Sequence, residues 1–494
     1  MKYITTRGGQ SAAGAQAIVQ GLGRDGGLFV PESFPRVELS EIDRLAKEPY
    51  VTRAVRILSR YLNDFSEQQI AGMANAAYAR FDEHGVAPLK KLADGVDVLE
   101  LYHGPTLAFK DVALTLLPHL LTASAKAAGE TRDVLILVAT SGDTGKAALS
   151  GFQDVPGTRC AVFYPQGGVS EAQRLQMVTQ RGGNTHVIAV QGNFDDAQNG
   201  VKRIFSDPQA AAAFDEKGFT LSSANSINWG RLAPQIVYYF SAYCDLLAAG
   251  DISLGDEINI CVPTDNFGNI LAAYYAMRMG LPVGKLVCAS NRNNVLTDFI
   301  HTGVYDARRA FHLTTSPSMD ILISSNLERM LFELSGRDPA AVRGWMAELK
   351  ETGRYEIGTE AKAALNELMY GAWASEEACA GEIARAWNEE KYLIDPHTAV
   401  AMKALRDYRA ETGDARPCVV ASTASPFKFG RAVSAALGLP TDADDFTLCD
   451  RLSEATGWAV PRAIAELPSL PVRHKAVCAP QDMLSALMKE IGRS

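Results

Sequence analysis

The chain reads Leu101-Tyr102-His103-Gly104-Pro105-Thr106-Leu107-Ala108-Phe109-Lys110-Asp111 just before a mostly apolar run, Val112 to Ala128. This run is long enough for a buried helix, which Pro118 is expected to kink. Lys110 is therefore predicted at a helix N-terminus, where burial and the positive end of the helix dipole both favour its neutral amine. A neutral amine can form a Schiff base. On these residues alone, a solvated lysine that opens a helix is the simpler interpretation.

The composition excludes several classes of protein. A chain of 494 residues with 47% hydrophobic residues predicts two or three globular domains. A net charge of −9 argues against non-specific binding to nucleic acid. No apolar run reaches the length of about 18 residues that a membrane span needs, and the first residues lack the apolar region of a signal peptide. We therefore expect a cytoplasmic protein without nucleic-acid or membrane partners.

The cysteines and histidines do not predict a metal site. The eight cysteines are scattered and form no C-x-x-C pair, and the eight histidines form no H-E-x-x-H motif. Four of the cysteines lie in apolar runs, which is typical of reduced thiols in a protein core. These are Cys160, Cys261, Cys288 and Cys418.

Alternating strands and helices predict an α/β fold. Apolar runs at Asp133–Ala139, Cys160–Pro165 and Thr185–Val190 are separated by helical segments, as in a parallel sheet with right-handed crossovers. A second series of strands is predicted at 257–263, 285–289 and 418–421, and residues 360–370 are predicted as helix. We expect two open parallel-sheet lobes behind an N-terminal extension. The predicted units are residues 1–92, a large domain of 93–132 and 230–440, a small domain of 133–229, and a C-terminal segment of 441–494.

Two strand-to-helix turns are candidate anion sites. Thr140-Ser141-Gly142-Asp143-Thr144-Gly145-Lys146 resembles a phosphate-binding P-loop, but it lacks the first glycine and the magnesium-binding hydroxyl. Its hydroxyls and helix amides can still hold an anion. Pro263-Thr264-Asp265-Asn266-Phe267-Gly268-Asn269 has the same design and suits a phosphate monoester. Each turn is also explained as an ordinary polar helix cap.

Two further polar stretches are candidate ligand sites. Ser422-Thr423-Ala424-Ser425 follows a predicted strand, at the edge of the sheet where α/β proteins bind ligands. A hydroxyl there can pair with a heterocycle nitrogen without adding charge. The patch from Leu221 to Arg231 either satisfies its own polar groups or lines a substrate cleft.

Taken together, these segments resemble the threonine synthases, which are pyridoxal-phosphate enzymes of fold type II. The likeness runs in family order over nearly the whole chain. Each segment is modest alone, and the set is specific. The matching segments are residues 21–32, 103–111, 139–145, 223–231, 263–269, 316–320, 324–329 and 422–429.

The resemblance implies a set of cofactor contacts. Lys110 would form the Schiff base with pyridoxal 5'-phosphate, the turn from Asp265 to Asn269 would hold the cofactor phosphate, and Thr423 would face the pyridine nitrogen. The turn at residues 141–145 would lie near the cofactor ring in the smaller, mobile lobe. The implied cofactor-binding residues are Lys110, Asp143, Asn266, Phe267, Gly268, Asn269 and Thr423.

The resemblance also implies a reaction. The family converts O-phospho-L-homoserine and water to L-threonine and phosphate, by elimination at Cγ and replacement at Cβ. Lys110 would move protons at Cα and Cβ. The substrate phosphate would bind at either the small-lobe turn or the polar patch. The candidate substrate contacts are Ser141, Thr144, Ser226, Asn228 and Arg231.

Other functions stay open at this point. Another fold-type-II lyase, such as a serine/threonine dehydratase or a phospho-lyase, would share Lys110 and the phosphate turn. A non-catalytic metabolite-binding module would be expected to lack the lysine. The segment Arg24 to Glu32 and the patch Ser223 to Arg231 favour threonine synthase. We expect a monomer or a homodimer.

One residue departs from the family pattern. The cofactor-phosphate turn usually begins with glycine, whereas this chain has Asp265. Glycine allows positive φ and a close approach of phosphate, and aspartate adds a charge of the phosphate's own sign. We expect the Asp265 carboxylate to point to solvent.

Overall fold

The computed structural model describes residues 1–140, 142–167 and 169–492. Its large sheet is parallel except for one edge strand, Leu89–Lys91, which pairs antiparallel with its neighbour. Apolar side chains fill both faces, as expected of a sheet covered by helices on both sides. The spatial order of its strands is Met369–Trp373, Val283–Ser290, Ile258–Pro263, Cys418–Ser422, Val96–Glu100 and Leu89–Lys91.

The small sheet is parallel throughout. One edge strand comes from the C-terminal segment, in which no helix or strand was predicted. The following helix, Met483–Ile491, packs on the small sheet through Met483 and Leu487. The order of the strands is Ala476–Cys478, Thr185–Val190, Thr158–Pro165, Asp133–Ala139 and Phe219–Ser222.

Helices cover both sheets, and the longest of them, Trp229–Ala249, lies almost entirely in the core. In the large-sheet region the other helices are Lys110–Leu114, Leu117–Ala127, Gly268–Arg278, Val295–Thr302, Leu327–Leu334, Pro339–Thr352, Thr359–Leu368, Glu376–Glu390, Pro396–Thr412 and Gly430–Ala436. The helices of the small lobe are Asp143–Phe152, Glu171–Val178, Phe194–Ser206, Pro208–Glu216 and Met483–Ile491. Two more helices follow the large-sheet region in the chain, Asp445–Thr456 and Arg462–Ala465.

The N-terminal region combines a short antiparallel sheet with helices. Its strands are ordered Ser11–Ala13, Lys2–Thr5 and Phe29–Pro31. Its helices are Gly14–Gln20, Leu39–Leu45, Tyr50–Tyr61 and Glu67–Tyr78.

A separate antiparallel pair of strands, Val304–Asp306 and Arg354–Glu356, lies outside the N-terminal region.

Aromatic packing joins the N-terminal region to the large lobe. The rings of Tyr3 and Tyr61 each lie 5.3 Å from the ring of Trp229, and all three side chains are fully buried. The N-terminal region is therefore part of the same core and not a loosely attached arm.

Buried Arg329 fixes the N-terminal region beside the polar segments. Its guanidinium donates to the Phe29 carbonyl at 2.9 Å, to the Ile227 carbonyl at 2.6 Å and to the Asn326 side chain. One fully buried side chain thus joins the N-terminal sheet to two of the segments that the sequence singled out.

The predicted α/β class with two parallel sheets is confirmed, and the strand Asp133–Ala139 has the predicted bounds. Two local predictions are wrong. The helix expected over 112–128 is two helices that break at residues 115 and 116, and Pro118 is the second residue of the second helix. The helix predicted to reach Tyr370 ends at Leu368, because Met369–Trp373 pairs in parallel with Val283–Ser290.

The cysteines agree with their prediction, since all eight are free and buried. Among the described residues, no group of three or more histidine, cysteine, aspartate or glutamate side chains is arranged to hold a metal ion. No helix in the described part of the chain is long and apolar enough to cross a membrane.

Candidate active site

Lys110 is the first residue of the helix Lys110–Leu114, as predicted. The Phe109 amide donates to the Thr423 carbonyl at 2.8 Å, and the Ser425 amide donates to the Leu107 carbonyl at 3.1 Å. Leu107 has a φ of 59°, which turns the chain sharply ahead of the helix. This pairing holds Lys110 next to Thr423, at the carboxyl end of the strand Cys418–Ser422.

The Lys110 amine lies in a buried, mixed environment. Its Nζ atom donates to Ser318 Oγ at 3.2 Å and lies 4.0 Å from Asp265 Oδ2. Burial lowers the pKa of Lys110, and the carboxylates of Asp265 and Asp143 only partly oppose that effect. The neutral amine is therefore more accessible than in a solvated lysine, as a Schiff-base nucleophile requires.

The turn Thr264–Asn269 has the geometry of a phosphate site. Phe267 has a φ of 66° and directly precedes the helix Gly268–Arg278. The first N–H groups of a helix have no intrahelical acceptor and are suited to bind an anion. Asn269 adds a buried side-chain donor, Nδ2, that has no partner in the described protein. Its Oδ1 atom accepts from the hydroxyls of Tyr238 and Tyr239, each at 2.6 Å.

Side chains from another loop hold this turn from outside. Ser324 Oγ donates to the Asp265 carbonyl at 3.1 Å, and Ser325 Oγ donates to the Asn266 side chain at 3.2 Å. The Asn326 amide donates to the Asn266 carbonyl at 3.0 Å. These contacts brace the turn Thr264–Asn269 without using the backbone amides at the start of the helix Gly268–Arg278.

The expectation for Asp265 is wrong. Its side chain is only 13% exposed and turns toward Lys110 instead of solvent. The residue of this turn with positive φ is Phe267, not Asp265. Because an ordinary backbone conformation suffices at position 265, the carboxylate can turn inward, where buried cations attract it.

The small-lobe turn is organised differently. Thr140 Oγ1 accepts from the amides of Gly142 and Gly145, both at 3.0 Å. Thr144 is half-buried in the first turn of the helix Asp143–Phe152. The predicted contact Ser141 lies outside the described residues.

Asp143 forms a buried ion pair with a residue that the sequence reasoning did not single out. Lys428 Nζ lies 2.5 Å from Asp143 Oδ1. Burial alone would raise the pKa of Asp143, but the charges of Lys428, Lys110 and Lys146 outweigh burial and hold this pKa well below its usual value. Asp143 is therefore a charge partner at the contact between the lobes.

A third buried lysine, Lys146, lies near this cluster. Lys146 Nζ donates to the Thr106 carbonyl at 3.2 Å, and burial lowers the pKa of Lys146 well below its usual value. Asp111 accepts from the Thr106 amide and hydroxyl at 2.7 and 2.6 Å, and burial raises its pKa despite these bonds. A buried lysine, Lys146, and a buried carboxylate, Asp111, therefore both bind Thr106.

The three predicted contacts in the polar patch differ in their surroundings. Ser226 Oγ lies 3.3 Å from Ser325 Oγ, beside the turn Thr264–Asn269. The side chain of Asn228 caps the helix Trp229–Ala249, because its Oδ1 atom accepts from the Gly230 backbone amide. Its Nδ2 atom donates to the Ile18 carbonyl, so both polar atoms of this side chain have protein partners.

Arg231 is the cation of the patch, and its Nη1 atom donates to the Ala224 carbonyl at 2.8 Å. Burial lowers its pKa to about 10, against the opposing charge of Asp265. A buried guanidinium next to a carboxylate and an amine can bind a second anion.

Ser318 and Lys428 are site residues that the sequence reasoning missed. Both lie in segments already noted, 316–320 and 422–429, yet neither residue type carries a distinctive signal. Their contacts with Lys110 and Asp143 depend on residues more than 200 positions away in the chain.

The residues present fit a phosphorylated aldehyde cofactor. A buried amine, a braced helix N-terminus and a partnerless buried donor converge on one region. Thr423, itself buried, contributes a neutral hydroxyl at the end of the strand.

Family comparisons agree with this arrangement. Residues 2–78 match the family described as Threonine synthase N terminus, and residues 86–423 match Pyridoxal-phosphate dependent enzyme. Residues 398–481 match Threonine synthase, C-terminal.

Individual relatives are similar over most of the chain. Threonine synthase-like 1 of Homo sapiens is 41% identical over 434 residues, which cover 86% of this chain and 58% of that protein. This chain therefore spans 58% of the length of that relative. Threonine synthase of Pseudomonas aeruginosa is 40% identical over 438 residues, 88% of this chain and 90% of the relative.

Solved structures share the fold over nearly the whole chain. Pyridoxal-phosphate-bound threonine synthase from Brucella melitensis has a TM-score of 0.89 and 36% identity, covering 99% of both chains. Yeast threonine synthase has a TM-score of 0.90 and 31% identity, covering 100% of this chain and 99% of its own. The expected fold-type-II architecture is confirmed, and the chain belongs to the threonine synthase family of pyridoxal-phosphate-dependent enzymes.

Proposed function

We propose that this protein is a threonine synthase that converts O-phospho-L-homoserine and water to L-threonine and phosphate. The observation that carries the proposal is the buried Lys110 amine, held between Thr423 and the braced turn at Asp265 to Asn269. The similarity to threonine synthases over all three matched regions supports the same activity.

The large-lobe residues are proposed to hold the cofactor. The helix amides and side chains of Asn266, Phe267, Gly268 and Asn269 would bind its phosphate, and the Thr423 hydroxyl would pair with its pyridine nitrogen. Asp143 would face the cofactor from the small lobe as the carboxylate that balances Lys428. When bound, pyridoxal 5'-phosphate supplies an electron sink for carbanion chemistry at the substrate.

Lys110 is proposed to move the protons. Its amine, favoured in the neutral form by burial, can remove a proton from the substrate Cα and deliver or remove protons at Cβ. Because Lys110 is only 6% exposed, competing water is largely excluded from the amine. Water must still reach Cβ to complete the replacement.

The substrate phosphate is proposed to bind among Ser141, Thr144, Ser226, Asn228 and Arg231. Arg231 has the strongest support, because a buried guanidinium offers several donors to a phosphate. Asn228 has the weakest support, because its amide already caps a helix. We further propose that the protein acts in the cytoplasm as a monomer or a homodimer. Its domains are proposed to end at residues 92, 132, 229 and 440.

A product assay tests this function. Purified protein with added pyridoxal phosphate should release phosphate and L-threonine from O-phospho-L-homoserine in equal amounts. Phosphate without threonine would favour a phospho-lyase, and release of a 2-oxo acid from serine or threonine would favour a dehydratase. No turnover, with no covalent cofactor on Lys110 after borohydride reduction, would overturn the proposal.

A further inference from the structure

The closest hydrogen-bond partner of the Lys110 amine is a neutral hydroxyl, Ser318 Oγ, at 3.2 Å. We propose that Ser318 receives and positions the Lys110 amine whenever that amine is free, and that His397 and Asp395 hold Ser318 in place. Ser318 touches the reacting amine, whereas His397 and Asp395 are positioning residues that act through it. The inference rests on the proposed role of Lys110 as the Schiff-base lysine.

The hydroxyl suits this task because it does not fix the charge of the amine. A serine hydroxyl can accept a hydrogen bond from an ammonium group or donate one to a neutral amine. A carboxylate at contact distance would instead hold the lysine protonated. The nearest carboxylate, Asp265, lies farther away at 4.0 Å. Ser318 can therefore hold Lys110 in both of the protonation states that proton transfer requires.

His397 anchors the backbone of Ser318. The Ser318 amide donates to His397 Nε2 at 3.3 Å, so this ring nitrogen carries no proton in this arrangement. The other ring nitrogen, Nδ1, lies 2.6 Å from Asp395 Oδ2 and carries the proton. The two contacts together define a neutral imidazole with one fixed tautomer.

Asp395 fixes the ring and links it to the strand that ends just before Thr423. Its fully buried carboxylate caps the helix Pro396–Thr412, accepting from the His397 amide at 3.0 Å and the Thr398 amide at 3.1 Å. The Thr398 hydroxyl in turn lies 2.9 Å from Ser422 Oγ. One buried carboxylate therefore orients both the histidine behind Ser318 and the end of the strand beside Lys110.

The segment that carries Ser318 is also braced on its other side. The Asp320 carboxylate accepts from the side chains of Asn291 and Asn293 at 2.8 and 3.0 Å and from the Thr314 amide at 3.0 Å. Such bracing fixes the backbone at Ser318, which keeps its hydroxyl within reach of the Lys110 amine before a ligand arrives. Pre-set geometry of this kind favours rapid attack by the amine.

The test measures cofactor attachment to Lys110 and not only turnover. Cofactor-depleted protein is mixed with pyridoxal phosphate, reduced with borohydride at timed intervals, and the labelled Lys110 peptide is quantified by mass spectrometry. The variants are Ser318→Ala, Ser318→Thr, His397→Phe and His397→Gln. His301→Phe is the matched control, because His301 Nε2 contacts the Gly371 carbonyl at 2.8 Å on the edge strand.

We expect Ser318→Ala to slow labelling about tenfold, the effect of losing one hydrogen bond to a charged or reacting group. His397→Phe should slow labelling by a similar factor, because it removes the acceptor that holds the Ser318 backbone amide in place. Ser318→Thr and His397→Gln, which keep a hydroxyl or an acceptor, should stay within about threefold of the parent rate. In the product assay kcat should fall about tenfold in the first pair while KM changes less than about twofold, since the contact does not involve bound substrate. His301→Phe should match the parent protein.

Each remaining outcome has a defined meaning. Parent-like labelling of Ser318→Ala overturns the inference, and slow Ser318→Ala with parent-like His397→Phe overturns the part assigned to His397. A proton on Nε2 of His397, observed by nitrogen NMR of the cofactor-free parent protein, overturns that part even if no His397 variant folds. Parent protein that never labels at Lys110 instead overturns the proposed function.

Discussion

Two turns of similar design each direct a carboxylate toward Lys110, Asp143 from the small lobe and Asp265 from the large lobe, and they satisfy their polar groups in opposite ways. Each begins with a buried threonine at the end of a parallel strand and leads into a helix, at Thr140 in the small lobe and Thr264 in the large lobe. The Thr140 hydroxyl accepts from two amides of its own turn. The Thr264 hydroxyl donates to the Val262 carbonyl at 2.8 Å, behind the turn.

The difference indicates which turn suits a resident phosphate. The large-lobe turn is braced from outside by Ser324, Ser325 and Asn326, so the amides at the start of its helix stay available to a ligand. The small-lobe turn uses its own threonine for bracing, and its acid, Asp143, is already paired with Lys428. This difference supports the proposal that the large-lobe turn holds the cofactor phosphate.

Removing Lys110, which lies next to the large-lobe turn, should have the largest effect. Lys110→Ala should lower turnover at least about 10³-fold, because both covalent attachment and proton transfer need the amine. Phosphate release and borohydride trapping measure the two functions separately. Exposed Lys126→Ala is the control. Covalent cofactor retained elsewhere in Lys110→Ala, with activity preserved, would refute the assignment.

Adding one methyl group to the helix that follows each turn should show that the small-lobe turn is packed more tightly than the large-lobe turn. In Gly145→Ala the new Cβ would lie 2.3 Å from Thr140 Cγ2 and 2.8 Å from Val162 Cγ1, whereas in Gly268→Ala the nearest atom is Asn326 Nδ2 at 3.5 Å. We expect Gly145→Ala to lower the free energy of unfolding by about 2–3 kcal/mol despite its better helix propensity. Gly268→Ala should change it by less than about 1 kcal/mol. Urea unfolding of the cofactor-free proteins measures both, and equal losses would contradict the comparison.

Replacing each threonine hydroxyl by a methyl tests the bracing directly. Thr140→Val leaves two amides without their acceptor and should cost about 2 kcal/mol of stability. Thr264→Val removes a single donor to a carbonyl and should cost about 1 kcal/mol. The two variants have the same change in shape, so each is the other's control in urea unfolding. A larger loss for Thr264→Val would reverse the interpretation of the two turns.

The smallest expected effect concerns Asp265. Its carboxylate lies near both Lys110 and the proposed phosphate site, so Asp265→Asn should tighten cofactor binding about three- to tenfold by removing a like charge. Because Asp265 raises the pKa of Lys110 against the effect of burial, the variant should lower this pKa further. Reagent labelling of the Lys110 amine should then reach half its maximum at lower pH than in the parent.

Asp298→Asn, at a partly exposed ion pair with Arg309, is a suitable control for the Asp265 variant. Weaker cofactor binding in Asp265→Asn would show that the carboxylate supports the site and does not oppose the phosphate. An unchanged pH profile would show that Asp265 does not influence the amine.

Local sequence patterns predicted the secondary structure correctly where a single feature, such as a continuous apolar run, dominated the segment. The apolar run Asp133–Ala139 can only be satisfied by burial on both faces, and the strand has these bounds. The helix Glu171–Val178 likewise begins with a capping box between Ser170 and Gln173, a signal contained within four residues of sequence. The edge strand Met369–Trp373 was missed because its identity comes from pairing with Val283–Ser290 and not from local preference.

The sequence by itself thus determined the α/β class, the family and the residue types of the site, since these follow from periodicity and from motif order. Only the tertiary structure decided which side chains meet. Asp265 turns inward because buried cations attract it, and Lys428 pairs with Asp143 across the lobes. Ser318 contacts Lys110, and its backbone amide donates to a histidine 79 positions farther along the chain. Such contacts depend on the relative placement of elements hundreds of residues apart, and local sequence does not encode that placement.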